Sequence, residues 1–245
     1  MTPWVNWKRI AIPKGLGGWG LKNIFMFAQA LAAKGGWRLI KSTSLWTRVI
    51  KQKYFPHESI EDWIRRPQKS HTGGSVIWKA VVKSFSLIES SLSWDVGSGE
   101  KLQIGRDPWM GSEQYHILPA AVINALAIRG ISTLNQLDDQ RPDEPWTQHW
   151  KSADMLGLDE YETVFYENYI RGLQLAHIQI SEQEDVLIWD TDPAGVYTPK
   201  AGYLKLSAEV GVREEKWWWS CLWKLKCPSK SKLFMWCVLE NRVPT

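Results

Sequence analysis

Three cysteines, five histidines and one pair of adjacent aspartates are the residues whose types suit nucleophilic or metal chemistry. Their spacing argues against each use. His57, His71, His116, His149 and His177 form no H-x-x-x-H or H-E-x-x-H pair and none has a cysteine nearby, so they read as surface or loop residues. Cys221, Cys227 and Cys237 are separated by five and by nine residues, with no histidine beside them. That is not a zinc spacing, and two of the three lie in apolar helical context, so buried structural thiols are expected. Asp138-Asp139 would need a third acid on a neighbouring strand to hold two metals. The stretch Asp138 to Pro145 instead reads as a polar loop. The glycine-rich run Gly15 to Gly20 lacks the Gly-Lys-Ser/Thr ending of a phosphate loop, and no Gly-x-Ser-x-Gly elbow exists. No catalytic constellation assembles, so neither a catalytic nor a metal-ligating residue is assigned, and the chain is expected not to be an enzyme.

Charge offers a different chemistry. The 245 residues carry 30 Lys+Arg and 26 Asp+Glu, a formal +4. Residues 1–116 hold 17 cations and 8 acids, 117–198 hold 4 and 14, and 199–245 hold 9 and 4. The first 57 residues contain ten cations and no acid, with Trp4, Trp7, Trp19, Trp37 and Trp46 interleaved. Cations neutralise phosphates, and exposed indoles stack on unpaired bases. RNA or DNA is therefore the expected partner. The expected contacts are Lys8, Arg9, Lys14, Lys22, Arg38, Lys51 and Lys53, with Lys224, Lys226, Lys230 and Lys232 as a second basic cluster. Of the 17 Trp, most are expected to be structural anchors.

The elements that must position these residues are mainly helical. Asn23 can cap a helix to Lys34 or beyond, with Ile24, Phe27, Ala28 and Leu31 on one face and Gly35-Gly36 weakening or interrupting it before Trp37 to Ile40 resumes it. Ser44 can cap a second through Tyr54, with Leu45, Val49 and Ile50 apolar. Residues 55–73 read as a loop, and Ser75 to Leu92 as a third helix. Further helices are expected near 120–128, 159–171, 200–209, 217–225 and 229–239. Two hairpins are expected: 93–96 with 101–104 around Gly97-Ser98-Gly99, and 185–189 with 195–197 around Asp192 to Gly195. The expected fold class is mainly α with short antiparallel β-hairpins, the helical segments packed around Trp-rich cores. No apolar h-region opens the chain, no apolar run is long enough to span a membrane, and the cysteine count is odd. These features predict an intracellular, non-secreted protein of the nucleus or cytoplasm.

The order of the Trp-containing blocks carries a resemblance. Trp4-Val5-Asn6-Trp7, Ile12-Pro13-Lys14, Gly17-Gly18-Trp19-Gly20 and Trp37-Arg38-Leu39 come first. Leu45-Trp46 with Lys53-Tyr54 follows, then Gly97-Ser98-Gly99, Ile104 and Asp107-Pro108-Trp109 with Gly111. Trp189, Gly195-Val196-Tyr197, Lys200 and Tyr203 come next. The last block is Trp223-Lys224, Pro228, Lys230, Lys232, Phe234, Trp236 and Val243-Pro244-Thr245. In this order the blocks resemble the region after the polymerase domain in plant LINE-type (non-LTR) retrotransposon reverse transcriptases, up to the start of their zinc-binding domain.

The resemblance implies a basic linker over 1–116, an acidic, mainly helical connection over 117–183, and the first half of a zinc-binding-type domain over 184–245. The polymerase site of that family has an aromatic residue two places before its Asp pair, where this chain has Gln136. The family's zinc ligands follow the Pro-Thr, so zinc is implied only for a C-terminal continuation. The implied role is non-catalytic help in holding RNA or DNA beside a polymerase domain. The alternatives are a stand-alone Trp-rich protein-interaction module and a non-functional retroelement remnant. The remnant reading expects helices 217–239 to expose many apolar residues.

Overall fold

Short polar side chains set where the helices begin. Asn23, Ser44, Ser59, Ser75 and Asp159 each accept a hydrogen bond from a backbone N–H two or three residues ahead. These bonds satisfy donors that the first helical turn leaves without partners. Glu162 also accepts from the Asp159 N–H, completing a reciprocal capping box. The computed structural model describes residues 7–14, 17–66, 74–139, 149–208 and 216–241. Among them lie α1 (Trp7–Ile10), α2 (Ile24–Lys41), α3 (Leu45–Tyr54), α4 (Ile60–Arg65), α5 (Val76–Ser84) and α6 (Ser86–Glu89). Strand β1 (Leu92–Asp95), α7 (Ala120–Ile128), a 3-10 turn (Leu134–Leu137), α8 (Glu160–Leu175) and β2 (Val186–Trp189) follow. Then come α9 (Pro199–Ala208), α10 (Trp218–Lys224) and α11 (Ser229–Leu239). The mainly helical class with short antiparallel β-structure is the one found.

Several local expectations are corrected. Helix α2 runs through Gly35-Gly36 without a break, and Gly36 is buried. Ala30, Ala33, Gly36, Trp37 and Leu39 are buried on it, while Ile24, Phe25 and Leu31 are exposed. Large apolar residues surround the start of this helix (Ile24, Phe25, Met26, Phe27), so periodicity alone does not single out a face. On α3, Thr47 is buried and Leu45 and Val49 are exposed. The expected loop over 55–73 contains α4, which buries Trp63. The expected helix from Ser75 to Leu92 is two helices, and Leu92 already begins β1.

The strands pair across the chain. β1 is antiparallel to β2, with Leu92 opposite Trp189 and Asp95 opposite Val186. On its other side, the Trp94 N–H donates to the Pro108 carbonyl at 2.8 Å, and the Met110 N–H donates to the Trp94 carbonyl at 3.0 Å. The first strand of one expected hairpin thus pairs with the first strand of the other. The cause is Asp185, just before β2. Its Oδ1 accepts from the N–H groups of Gly97 and Gly99, both at 2.8 Å, and its Oδ2 accepts from Lys101 N–H at 2.9 Å. The Gly-Ser-Gly loop wraps this buried carboxylate instead of turning back as a hairpin, and so delivers β2 to β1. Gly99 has φ +70°, and a Cβ on Gly97 would run into the Gln183 carbonyl. At 192–195 the expected turn is present, the Gly195 N–H donating to the Asp192 carbonyl at 2.8 Å. Residues 195–197 form no strand.

The chain divides into two compact units, each discontinuous in sequence. One gathers 1–38, 69–87 and 198–245, with Trp78, Val81, Phe85, Trp219, Leu222 and Trp236 buried in it. The other gathers 39–68 and 88–197. Its core includes Trp94, Leu102, Trp109, Leu126, Tyr166, Tyr169 and Leu173, with Trp109 edge-on to Tyr169 at 5.1 Å between ring centroids.

Candidate nucleic-acid interface

Grouping the charges by unit sharpens the sequence pattern. The first unit carries 18 Lys+Arg and 4 Asp+Glu, a net +14; the second carries 12 and 22, a net −10. Three of the basic unit's four acids (Glu209, Glu214, Glu215) lie outside the described residues. The fourth, Glu240, is buried. It accepts from the Trp219 indole N–H at 3.2 Å and pairs with Lys216 at 3.4 Å. The described surface of this unit therefore presents cations and no exposed carboxylate.

Tryptophan packing joins its two ends. The Trp236 indole donates to the Gly17 carbonyl at 2.9 Å, and its ring meets Trp19 edge-on at 5.5 Å. The Trp219 ring fills the space where a Cβ on Gly17 would sit, which, with φ +85°, explains glycine there. Lys14 Nζ lies 5.1 Å over the Trp223 ring, and Lys232 Nζ donates to the Trp223 carbonyl at 3.2 Å. Lys14 thus comes together with Lys232 around Trp223, next in sequence to Lys224, although the two blocks are about two hundred residues apart in sequence.

The remaining predicted contacts divide. Lys22, Arg38, Lys224, Lys226 and Lys230 are exposed in the basic unit, with Lys22 over the Phe27 ring at 5.1 Å. Lys8 and Arg9 lie on α1, and their side chains are outside the described set. Lys51 and Lys53 belong to the acidic unit, at the end of α3. Sequence reading omitted Lys79, Lys83, Lys200 and Lys216, which are exposed in the basic unit. Their only sequence signal is charge; membership of the unit is a tertiary property. Cation crowding is visible at Lys34, whose pKa is lowered by partial burial and by Arg38 one turn away.

Of the tryptophans interleaved with the first basic block, Trp37 is buried, Trp19 is half-buried, and Trp7 and Trp46 are exposed. Trp63, Trp78, Trp94, Trp109, Trp189, Trp219 and Trp236 are also buried. Trp217 is exposed, and Trp4 and Trp146 lie outside the described residues. The cysteines correct another expectation. All three are free thiols: Cys221 is exposed, because α10 turns it away from the side carrying Trp219 and Leu222, and Cys227 and Cys237 are half-buried. Among the described residues no three His, Cys, Asp or Glu gather in a way that could hold a metal.

In the acidic unit the motif residues hold backbone. Asp107, the first residue of Asp-Pro-Trp, is buried. It accepts from Arg65 Nε at 3.0 Å and Nη2 at 2.6 Å, and from Gln103 N–H at 2.9 Å. Burial opposes the Arg65 charge, but its bonds to Asp107 and the nearby Asp62 outweigh that cost and raise its pKa. A cleft of about 660 Å³ beside this pair is lined by both signs, including Arg66, Arg106, Glu89 and His116. Asp139 donates its N–H to the His149 carbonyl, so the expected polar loop is closed at its base; Gln140 to Pro145 lie outside the described residues. Among the described residues no helix is long and apolar enough to cross a membrane.

Two plant proteins are similar to the chain. A putative ribonuclease H protein of Arabidopsis thaliana is 25% identical over 244 residues, covering 98% of this chain and 37% of the relative. An uncharacterized mitochondrial protein of Arabidopsis thaliana is 29% identical over 112 residues, covering 45% of this chain and 70% of the relative. The chain spans well under half the length of the first. No protein-family model and no solved structure matches it.

Proposed function

We propose that the chain is a non-catalytic, nucleic-acid-binding piece of a plant retroelement protein, working inside the cell beside a polymerase domain of the LINE reverse-transcriptase type. The observation that carries this reading is the +14 unit, whose described surface lacks an exposed carboxylate and whose two basic blocks meet at Trp223. A polyanion is the partner such a surface attracts, and each neutralised phosphate releases counterions. The resemblance of the ordered Trp blocks supplies the retroelement origin, and both plant relatives fit it, one of them bearing the name of a nuclease. Binding rather than catalysis is favoured by the buried Asp107 and Asp185, whose oxygens are engaged by Arg65 and by backbone amides.

The test is binding of labelled RNA and DNA to the folded chain. Affinity at ~50 mM salt should fall steeply by ~200 mM, as phosphate contacts require. Undetectable binding of every RNA and DNA at the lower salt would sink the proposal. Hydrolysis of an RNA–DNA hybrid with added magnesium would overturn its non-catalytic part.

A second reading is a protein-interaction module. It is favoured by α11, where Phe234, Met235, Val238 and Leu239 are exposed at helical spacing. It predicts loss of partner binding on Phe234→Ser with nucleic-acid affinity retained.

A further inference from the structure

The outward face of α10 carries more than charge. Trp217 at its N-terminal boundary, Ser220, Cys221 and Lys224 are all exposed, at positions i, i+3, i+4 and i+7, while Trp219 and Leu222 are buried. Trp217 is 80% exposed. Its neighbour Lys216 is turned elsewhere: its Nζ lies 5.7 Å over the Trp218 ring and 3.4 Å from Glu240. A bare indole therefore lies on the same helix face as the exposed Lys224, about 10 Å from it along the axis. Exposed Lys226 follows the helix in the chain, and exposed Lys230 lies in the first turn of α11.

From this arrangement we infer that α10 selects single-stranded nucleic acid: Trp217 stacks on an unpaired base while Lys224, Lys226 and Lys230 hold flanking phosphates. The inference rests on the nucleic-acid reading above and narrows its substrate class. A duplex meets a basic surface through its phosphates, but its base faces are already stacked inside. In a single strand every base offers a π-face, and base–aromatic stacking tolerates any sequence. An exposed indole on a helix face that also carries Lys224, with no exposed acid among the unit's described residues, has the pattern of a stacking platform on a basic surface.

Fluorescence anisotropy on the full chain tests this, with an unstructured 12-nucleotide single strand and a 12-base-pair duplex at ~50 and ~200 mM salt. Trp217→Ala should weaken single-strand binding about 5- to 100-fold, keep its salt slope, and leave duplex binding within about twofold. Trp217→Phe should recover most of the loss. Lys224→Ala should weaken both ligands and lower both salt slopes by about one. Thermal melting should be the same for wild type and Trp217→Ala, because the ring is exposed. Equal losses for single strand and duplex, or no loss for either, overturn the inference while leaving the basic-surface reading intact. Failure of the wild type to bind either ligand overturns both.

Discussion

The basic unit turns its charge outward and the acidic unit anchors part of its charge inside. In the first, Lys14, Lys22, Lys224, Lys226 and Lys230 are exposed, and the one acid among its described residues, Glu240, is buried against Lys216 and Trp219. In the second, Asp107 and Asp185 are buried and together accept hydrogen bonds from Arg65 and from four backbone N–H groups. A buried carboxylate is stable only when its oxygens are satisfied, so those two acids organise local backbone and are poorly placed to meet a ligand. Exposed cations with no carboxylate beside them do the reverse: they add little to stability and leave a field for a polyanion. The same vocabulary of Trp, Gly and charge thus builds a framework in one unit and a surface in the other.

The largest test of that contrast is Asp185→Ala. It leaves the N–H groups of Gly97, Gly99 and Lys101 without their acceptor and should cost roughly 3–4 kcal/mol, read as a lower denaturation midpoint. Asp185→Asn, which keeps one oxygen, should cost less. Unchanged stability would mean that Asp185 is not the anchor the comparison requires. Next is Gly172→Ala on α8. Helix propensity alone favours alanine by about 1 kcal/mol. The added Cβ, however, would collide with the Tyr115 side chain and lie 3.3 Å from Trp109. A net loss of about 2 kcal/mol is expected; a gain in stability would show that the acidic unit's core is looser than described.

In the basic unit, Trp236→Phe removes the indole bond to the Gly17 carbonyl and should cost about 1–2 kcal/mol. Chemical denaturation measures this, and an unaffected midpoint would mean that the two basic blocks are not held together there.

The smallest effect is pH-dependent. Burial lowers the His116 pKa, with the Glu113 backbone and Asp107 partly opposing. Between its ordinary value near 6.5 and the lowered one, the unfolded chain binds the extra proton. Stability from this group is therefore full above about pH 6.5 and is lost as pH falls through that value, levelling off below the folded pKa. His116→Gln should flatten this part of the melting-temperature profile, and an identical profile would remove His116 from the account.

Helix positions were largely legible because their signals are local. Asn23, Ser44 and Asp159 announce helix starts, and α7 to α11 fall where pattern and punctuation put them. Helix α4 was hidden between Pro56 and Pro67 because six residues are too few to show a period. Buried faces were less legible: α2 has large apolar residues all round its start, and only packing chose Ala30, Ala33 and Trp37. Of the candidate interface, the cations were visible but their grouping was not. Lys51 and Lys53 belong to the opposite unit from Lys14 and Lys224, despite sharing an acid-free stretch with Lys14.

The sequence by itself determined the helical class, the positions of most helices and the uneven distribution of charge, all set by residues a few positions apart. Tertiary structure alone decided that β1 pairs with β2, that Gly97-Ser98-Gly99 wraps Asp185, and that the first and last basic blocks share one +14 unit. The physical reason is range. Caps and periodicity act over a turn or two, whereas satisfying a buried carboxylate or filling the space beside Gly17 with an indole draws on residues some ninety to two hundred positions away.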